Sequence, residues 1–482
     1  MYFNSYLFLL LFLPLTLAGY YALNYLKKQN GAIIFLLGMS FWFYGYMNPK
    51  HLLILAASIF LNFGIYRLFD LKIAGGNFIR KVILFFAVAG NLGVLLLYKY
   101  YNFVVDNWNL IFRNEHSLRN FIVPLGLSFI TFQQIAFAVD AYRKEVPEYN
   151  LQEYALFIAF FPHLSSGPII THEQFMPMLR DPLRKQVNWD RFGQGLYLFA
   201  MGLGKKVLLA DLFGAAVDWG YLHIPELNSF SALLVSIFYT TQIYFDFSGY
   251  SDMAIGISRM LNLDLPVNFN SPYKADTIME FWDRWHITLT RFFTGYLYIP
   301  LGGSRCGKIR TWLNTMFVFL CSGIWHGANW TFVLWGFLHG CFQIFSREAA
   351  GILKKLPRAV NRLVTLAFVN LAWIVFRADN FDVVRQMFGT IFTGGGGGLN
   401  GDLAEFFRLS SLEKIVNIEI PAGATAIVLT VLVWILILAG KNAEEMADNL
   451  KHGIARGALV VAVIVLSLLN FSGVSSFLYF NF

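Results

Sequence analysis

Blocks of apolar residues, most of them near the length that spans hydrocarbon, follow one another along the chain at 6–26, 31–48, 51–66, 82–98, 120–141, 151–170, 193–216, 229–247, 311–322, 324–345, 363–377, 423–440 and 457–478. A bilayer core about 30 Å thick takes about 20 helical residues to cross. Inside it the backbone must satisfy its own N–H and C=O groups, which favours helices. The chain is therefore expected to be an all-α integral membrane protein, a multi-pass helical bundle forming one domain over residues 1–482. The blocks at 151–170 and 311–345 contain Gly and Pro or are split. They read as broken or re-entrant helices, which persist only when buried in protein or lining a cavity, so a central cavity is expected. Composition agrees: 57% of the 482 residues are hydrophobic and only 14% charged, against about 25% charged in soluble domains.

The net charge of +8 does not point to nucleic acid, because the basic residues sit in short loops between apolar blocks. There they act as topology signals and meet anionic headgroups. Lys27–Lys28, the group Arg67, Lys72, Arg80 and Lys81, Arg143–Lys144, the stretch Arg180–Arg191, the stretch Arg259–Arg310, the stretch Arg347–Arg362 and Lys441, Lys451 and Arg456 can all lie in the cytoplasm. This works if the 151–170 block is re-entrant and both termini face outward; Arg113, Arg119 and Arg385 then lie outside. Met1–Ser5 carry no Lys or Arg, no A-x-A site follows Leu7–Leu17, and Lys27–Lys28 come after the apolar block. That is the layout of a retained first helix entering from outside. The segment 378–422, with its glycine run Gly394–Gly398, reads as a polar extracytoplasmic loop. The glycine run is flexible in character, and no Lys-Ser/Thr follows it to make a phosphate cradle. Cys306, Cys321 and Cys341 form no metal-binding spacing and read as free thiols. No repeat at a fixed period is present, which counts against a secondary transporter.

Chemistry-bearing residues concentrate between Glu280 and Trp335, in two pieces: Phe281-Trp282-Asp283-Arg284-Trp285-His286-Ile287-Thr288-Leu289-Thr290-Arg291 and Ser322-Gly323-Ile324-Trp325-His326-Gly327-Ala328-Asn329-Trp330. His326 has no neighbouring charge in an apolar region, and ionisable groups at membrane depth usually face a pathway or a site. If the segment stays helical, Asn329 and Trp330 share its face. Imidazole then suits general-base work on a polar acceptor. A structural histidine bonded to a backbone carbonyl is the competing reading. His286 lies in a more charged stretch, with Asp283 three residues earlier and Trp282 four. On a helix Asp283 would orient the ring; alternatively the stretch is an interfacial amphipathic helix whose arginines meet headgroups, and both tryptophans suit that belt. Asp140 and the pair Asp246 and Asp252 read as helix ends and inter-helix hydrogen bonders, and His163 and His339 as packing residues. No Gly-x-Ser-x-Gly or H-E-x-x-H motif appears, so serine-hydrolase and zinc-protease readings find no support.

The two pieces resemble the two signature histidine regions of the membrane-bound O-acyltransferase family. The similarity extends to Ser128–Gln133, Gly167-Pro168-Ile169, Tyr244–Gly256, Tyr298–Ser304, Asn370–Ala378 and the closing Phe477–Phe480, and is narrowest to the branch concerned with alginate O-acetylation. Residues 163–166 depart from that pattern. The resemblance implies His326 as the catalytic histidine and His286 as a second important position. Trp282, Asp283, Trp325, Asn329 and Trp330 flank them as candidate substrate contacts. It also implies a thioester acyl donor, here acetyl-CoA with no tightly bound cofactor, and an extracytoplasmic acetyltransferase partner protein. The acceptor would be an extracellular polysaccharide such as alginate, reached directly or through that partner, from the cell inner membrane. D-alanyl transfer to teichoic acid, a transporter or flippase with a histidine relay, and a scaffold without chemistry remain as rivals.

Cysteine-accessibility labelling tests the topology. Sites at Lys27, Lys72, Arg184, Lys355 and Lys451 are all expected to label from the cytoplasm, and labelling of residues 72 and 184 from opposite sides would refute the map.

Overall fold

The computed structural model describes residues 1–69, 76–409, 413, 419–450, 453–471 and 477–478. Every regular element among them is helical. A π-turn, Phe8–Phe12, leads into α1 (Leu13–Tyr25), followed by α2 (Gln29–Gly45) and α3 (Pro49–Leu68). Next come α4 (Asn77–Leu95), a second π-turn (Leu96–Tyr100) and α5 (Tyr101–Phe112), then α6 (Leu127–Arg143), α7 (Leu151–Ala159), α8 (Phe161–Leu164) and α9 (His172–Arg180). The middle of the chain holds α10 (Trp189–Gly204), the π-turn Lys205–Ala210, α11 (Asp211–Leu222) and α12 (Ser229–Met260). Beyond it lie α13 (Ile278–Arg284), α14 (Ile287–Phe293), a π-turn (Thr294–Tyr298), α15 (Lys308–His326), α16 (Trp330–Glu348), α17 (Ala350–Leu353) and α18 (Arg358–Arg377). The last elements are α19 (Phe381–Thr393), α20 (Gly401–Glu405), α21 (Ala422–Ala439), α22 (Ala443–Asp448) and α23 (Ile454–Leu469).

Among the described residues, five spans are long and apolar enough to cross a membrane: Phe8–Tyr25, Pro49–Leu68, Asn77–Phe112, Arg358–Arg377 and Ala422–Ala439. Their outward faces carry large apolar side chains such as Leu53, Phe60, Phe85 and Leu436, as lipid contact requires. Among the other helices, α8 and most of α7 and α12 are buried in protein. The spine is α12, whose 32 residues reach about 48 Å at 1.5 Å per residue. Its N-terminal half packs in a core with α11, α16, α18, α19 and α21, and its C-terminal half in a second core with α1, α2, α7 and α10.

Backbone contact decides how α10 meets this spine. A Cβ on Gly195 would lie 2.5 Å from Gly256 O, and one on Gly202 would lie 2.6 Å from Gly249 O. The two antiparallel helices thus touch at paired glycines seven residues apart on each, the small-residue packing that membranes favour in the absence of a hydrophobic drive between helices. Beside this crossing, the π-turn after α10 turns adjacent lysines inward. Lys205 Nζ meets Asp252 Oδ2 at 2.6 Å, and Lys206 Nζ meets Asp246 Oδ1 at 2.6 Å and Asp211 Oδ1 at 2.9 Å. Asp246 and Asp252 therefore sit within a continuous helix rather than ending one. The charges that the sequence places near a membrane end are buried and compensated by pairing.

The 151–170 block is broken, as expected. The backbone leaves helix at Phe160 (φ −56°, ψ 110°) and restarts in α8, and residues 153–166 are all buried. The 311–345 block differs. It is a hairpin of two unbroken helices, α15 and α16, with the turn at Gly327–Asn329. Gly323 lies inside a helix because the hairpin uses it for close approach: a Cβ there would stand 2.3 Å from Phe332 O. The 378–422 segment is partly folded, with α19 and α20 in it and Gly395 O accepting from Ser229 N at 3.2 Å.

The basic loops are tied to neighbouring segments by ion pairs and hydrogen bonds. Arg80 donates to the carbonyls of Phe69, Ala141 and Tyr142, Arg67 pairs with Glu148, and Arg180 with Glu153. Arg184 and Arg191 share Asp264, Arg259 pairs with Asp448, and Arg362 with Asp276. Lys72 and Lys451 lie outside the described residues.

Gly202→Leu is expected to prevent assembly of α10 on α12, and Gly202→Ala to destabilise by about 1–3 kcal/mol through overpacking. Gly38→Ala, where a Cβ meets nothing within 4 Å, should be near neutral. Thermal unfolding of detergent-purified protein reads all three.

Candidate active site

Helix α15 ends inside the protein. After His326 the chain turns extended at Gly327 (φ −166°, ψ 155°), leaving the last carbonyls of the helix without intrahelical donors. In an apolar interior each unmet carbonyl costs several kcal/mol. The donors come from the π-turn between α4 and α5, whose wider winding sets consecutive side chains against α15. Tyr100 OH donates to Ile324 O at 2.6 Å, and Lys99 Nζ to Trp325 O at 2.7 Å and to His326 O at 3.0 Å.

The buried His326 ring has its Nδ1 2.6 Å from Ser322 O. A carbonyl only accepts, so Nδ1 carries a proton and the neutral ring presents Nε2 as an acceptor. Trp325, Trp335 and Phe376 enclose the ring edge-on, with centroids at 4.9, 5.0 and 5.3 Å. Gly323 and Gly336 let α15 and α16 approach closely enough to bring Trp335 there. One helical turn beyond Trp335 lies a third buried histidine, His339. Its Nδ1 accepts from Trp282 Nε1 at 3.3 Å; indole N–H only donates, so this ring has the opposite tautomer to His326.

His286 is also buried, but not as a helical neighbour of Asp283. Helix α13 stops at Arg284, Trp285 is extended, and His286 itself takes a left-handed conformation (φ 47°) to start α14. This bend destroys the three-residue helical spacing, so Asp283 is turned outward and exposed while the His286 ring packs inward. His286 lies against Phe129 (6.3 Å), Phe269 (5.9 Å) and Trp325 (6.2 Å). Trp325 thus stands between the two imidazoles.

Two cavities approach His326. One, of about 70 Å³, is lined by His326, Trp325, Lys99, Ser165 and the segment Val123–Phe129. The other, of about 340 Å³, is lined by Trp282, Asp283, Thr290, Tyr298, Ser322, Gln343 and Arg347 among others. Ser322 and His326, one helical turn apart on α15, therefore line different cavities. His286 lines neither and sits behind Phe129 and Trp325. The smaller cavity depends on Gly126. That residue has φ +68°, and a Cβ on it would lie 2.4 Å from Leu164 O, so only glycine lets α6 begin against α8. Among the described residues, no three His, Cys, Asp or Glu side chains converge as metal ligands.

Asn329 and Trp330 do not share a face with His326, because the helix has already ended. Asn329 caps α16, accepting from Thr331 N at 3.1 Å, and donates to Asp379 O at 2.6 Å. Trp330 is half exposed, with Nε1 donating to Asn107 Oδ1 at 2.9 Å. Two other residues stand at the site instead: Lys99, which sequence reasoning passed over, and His339, which it read as a packing residue. Lys99 had a signal, being the lone charged residue between Lys81 and Asp106. His339 had none beyond its position in an apolar helix.

The cap role of Asn329 makes a measurable claim. Asn329→Ala should lower stability by about 1 kcal/mol, while Asn329→Ser, which keeps the cap, should lose much less. Equal losses in thermal unfolding would show that the amide acts elsewhere.

The profile of the membrane-bound O-acyltransferase (MBOAT) family matches residues 114–380, a stretch that holds His286, His326 and His339. Over its full length the chain is 35% identical to the peptidoglycan O-acetyltransferase of Helicobacter pylori, covering 97% of that protein. It is 36% identical to the probable alginate O-acetylase AlgI of Pseudomonas aeruginosa over 82% of this chain and 75% of that one. A more distant relative, the teichoic acid D-alanyltransferase of Streptococcus thermophilus, is 26% identical over 54% of this chain. With half of its length inside the family profile and an end-to-end relative, the chain is an acyltransferase of the membrane-bound O-acyltransferase family.

Proposed function

We propose that this acyltransferase moves an acetyl group from a cytoplasmic thioester, acetyl-CoA, to a hydroxyl of an envelope or extracellular polysaccharide, directly or by way of an extracytoplasmic partner protein. The observation that carries the reading is the position of His326. His326 lines one cavity, while the carbonyl that holds its Nδ1 belongs to Ser322, which lines the other. A base so placed serves a donor arriving from one side and an acceptor from the other.

The larger cavity suits the donor. It runs from Ser322 and Trp282 to Arg347, whose neighbour Glu348 pairs with Lys308 at the start of α15, and that basic end is the cytoplasmic one by the charge bias of the loops. Both termini then face outward, in the cell inner membrane. Thioester phosphates meet positive charge at the entrance, and the acyl end reaches the level of Ser322. From the smaller cavity the acceptor hydroxyl gives its proton to His326 Nε2 and attacks the acyl carbon. The thiolate leaves and recovers that proton. Trp325, between the two imidazoles, couples the position of His286 to this base; Trp282 and Asp283 would contact the donor.

Names among the relatives support a glycan acceptor. The peptidoglycan O-acetyltransferase pairs with this chain from end to end, and the alginate O-acetylases over most of it. The D-alanyltransferases share less of the chain at lower identity.

His326→Gln keeps volume and hydrogen bonding but removes a base that works near neutral pH. Polysaccharide-bound acetyl in cells, normalised to membrane protein level, should fall by about 10²–10⁴-fold, with insertion unchanged. Near-normal acetylation by this variant would overturn the assignment and favour a transport or scaffold role.

A further inference from the structure

Lys99 is more than a helix cap. It is a cation set in the Asn77–Phe112 span, and among the described residues no carboxylate stands within ion-pair distance of it. Charged side chains at such depth are costly and mark functional positions. Capping alone does not need the charge: its neighbour Tyr100 satisfies Ile324 O with a neutral hydroxyl. The ammonium has three N–H donors, of which two go to the carbonyls of Trp325 and His326. Lys99 also lines the same cavity of about 70 Å³ as His326, a volume several times what one water needs. Into that cavity points the start of α6, a 17-residue helix with no side-chain cap at Gly126, whose dipole adds positive field.

We infer that Lys99 is a further catalytic residue, which donates its third N–H to the acyl carbonyl oxygen as that oxygen becomes an oxyanion. The inference rests on the acetyl-transfer reading given above. When the acceptor oxygen bonds to the acyl carbon, the C=O π pair moves onto oxygen, and the ammonium and the α6 N-terminus stabilise it. Collapse re-forms C=O and breaks the C–S bond. The sulfur leaves with the electron pair and takes the proton that His326 removed from the hydroxyl. Base and oxyanion donor then lie on one helix end, because the carbonyls that fix Lys99 are those of Trp325 and of His326 itself. An electrostatic donor in a site closed to water is worth more than in solution, and removing one typically lowers kcat by about 10²–10³.

The test separates charge from capping. Membrane vesicles carrying the full chain, with the host polysaccharide as acceptor, are given radiolabelled acetyl-CoA, and transfer is followed for wild type, Lys99→Gln, Lys99→Arg and His326→Gln. Glutamine retains amide donors for the α15 carbonyls without the charge; arginine retains both. Lys99→Gln is expected to lose about 10²-fold or more in kcat with KM for acetyl-CoA within about twofold. Lys99→Arg should recover a large part of the loss, and thermal unfolding should place both variants near wild type. Near-normal kcat in Lys99→Gln would overturn the inference, as would a loss in Lys99→Arg equal to that in Lys99→Gln. His326→Gln keeps the two ideas apart. Absence of transfer in wild type overturns the acetyl-transfer reading, transfer that survives His326→Gln overturns the assignment of His326 as the base, and loss in His326→Gln with full transfer in Lys99→Gln overturns only the role of Lys99.

Discussion

A helix that stops inside an apolar interior has to find donors for its last carbonyls, and much of this structure follows from that need at the end of α15. Lys99 and Tyr100 supply the donors for Ile324, Trp325 and His326, and the π-turn that presents them lies within the helical span Asn77–Phe112. The imidazole of His326 is held from two directions, through its backbone by Lys99 and through Nδ1 by Ser322. A side chain so fixed keeps one nitrogen free of ambiguity: Nδ1 donates, and Nε2 is the acceptor.

Around this helix end, close backbone contact and aromatic rings divide the labour. Glycine pairs set the distances, Gly195–Gly256 and Gly202–Gly249 along the spine and Gly323–Gly336 in the hairpin. Tryptophans and phenylalanines then fill what remains. Trp325 stacks on Phe132 at 5.4 Å, meets His286 at 6.2 Å and His326 at 4.9 Å, so it joins the two signature histidines without a hydrogen bond between them. Several buried charges are compensated by pairing, as in Lys206 with Asp246 and Asp211. The neighbourhood of His326 is apolar except for Lys99 and the start of α6. An acyl carbonyl in such a place meets fixed dipoles in place of mobile water, the setting in which preorganised electrostatics act most strongly.

Membership of the acyltransferase family and the architecture agree on what a site of this kind has to do. The transfer across the membrane proposed above needs one base reachable from both sides and a barrier elsewhere. The separate cavities lined by Ser322 and by His326 suit that demand.

From the sequence alone the fold class was legible, because hydrocarbon imposes helix on any apolar block of sufficient length; so were the broken block at 151–170 and the two histidine-bearing pieces. Local spacing failed where a helix ended. Asp283 and His286 fit one helical face only if the helix continues past Arg284, and Asn329 and Trp330 fit that of His326 only if it continues past residue 326. Both helices stop, at Trp285 and Gly327, because contacts distant in sequence satisfy the freed backbone groups and reward the turn. The same is true of Lys99, separated from His326 by more than two hundred residues and joined to it by a hydrogen bond at 3.0 Å. Period and composition determined which segments would be helical and buried; which side chains meet at the helix ends was decided by tertiary packing, since the donors that close those ends come from elsewhere in the chain.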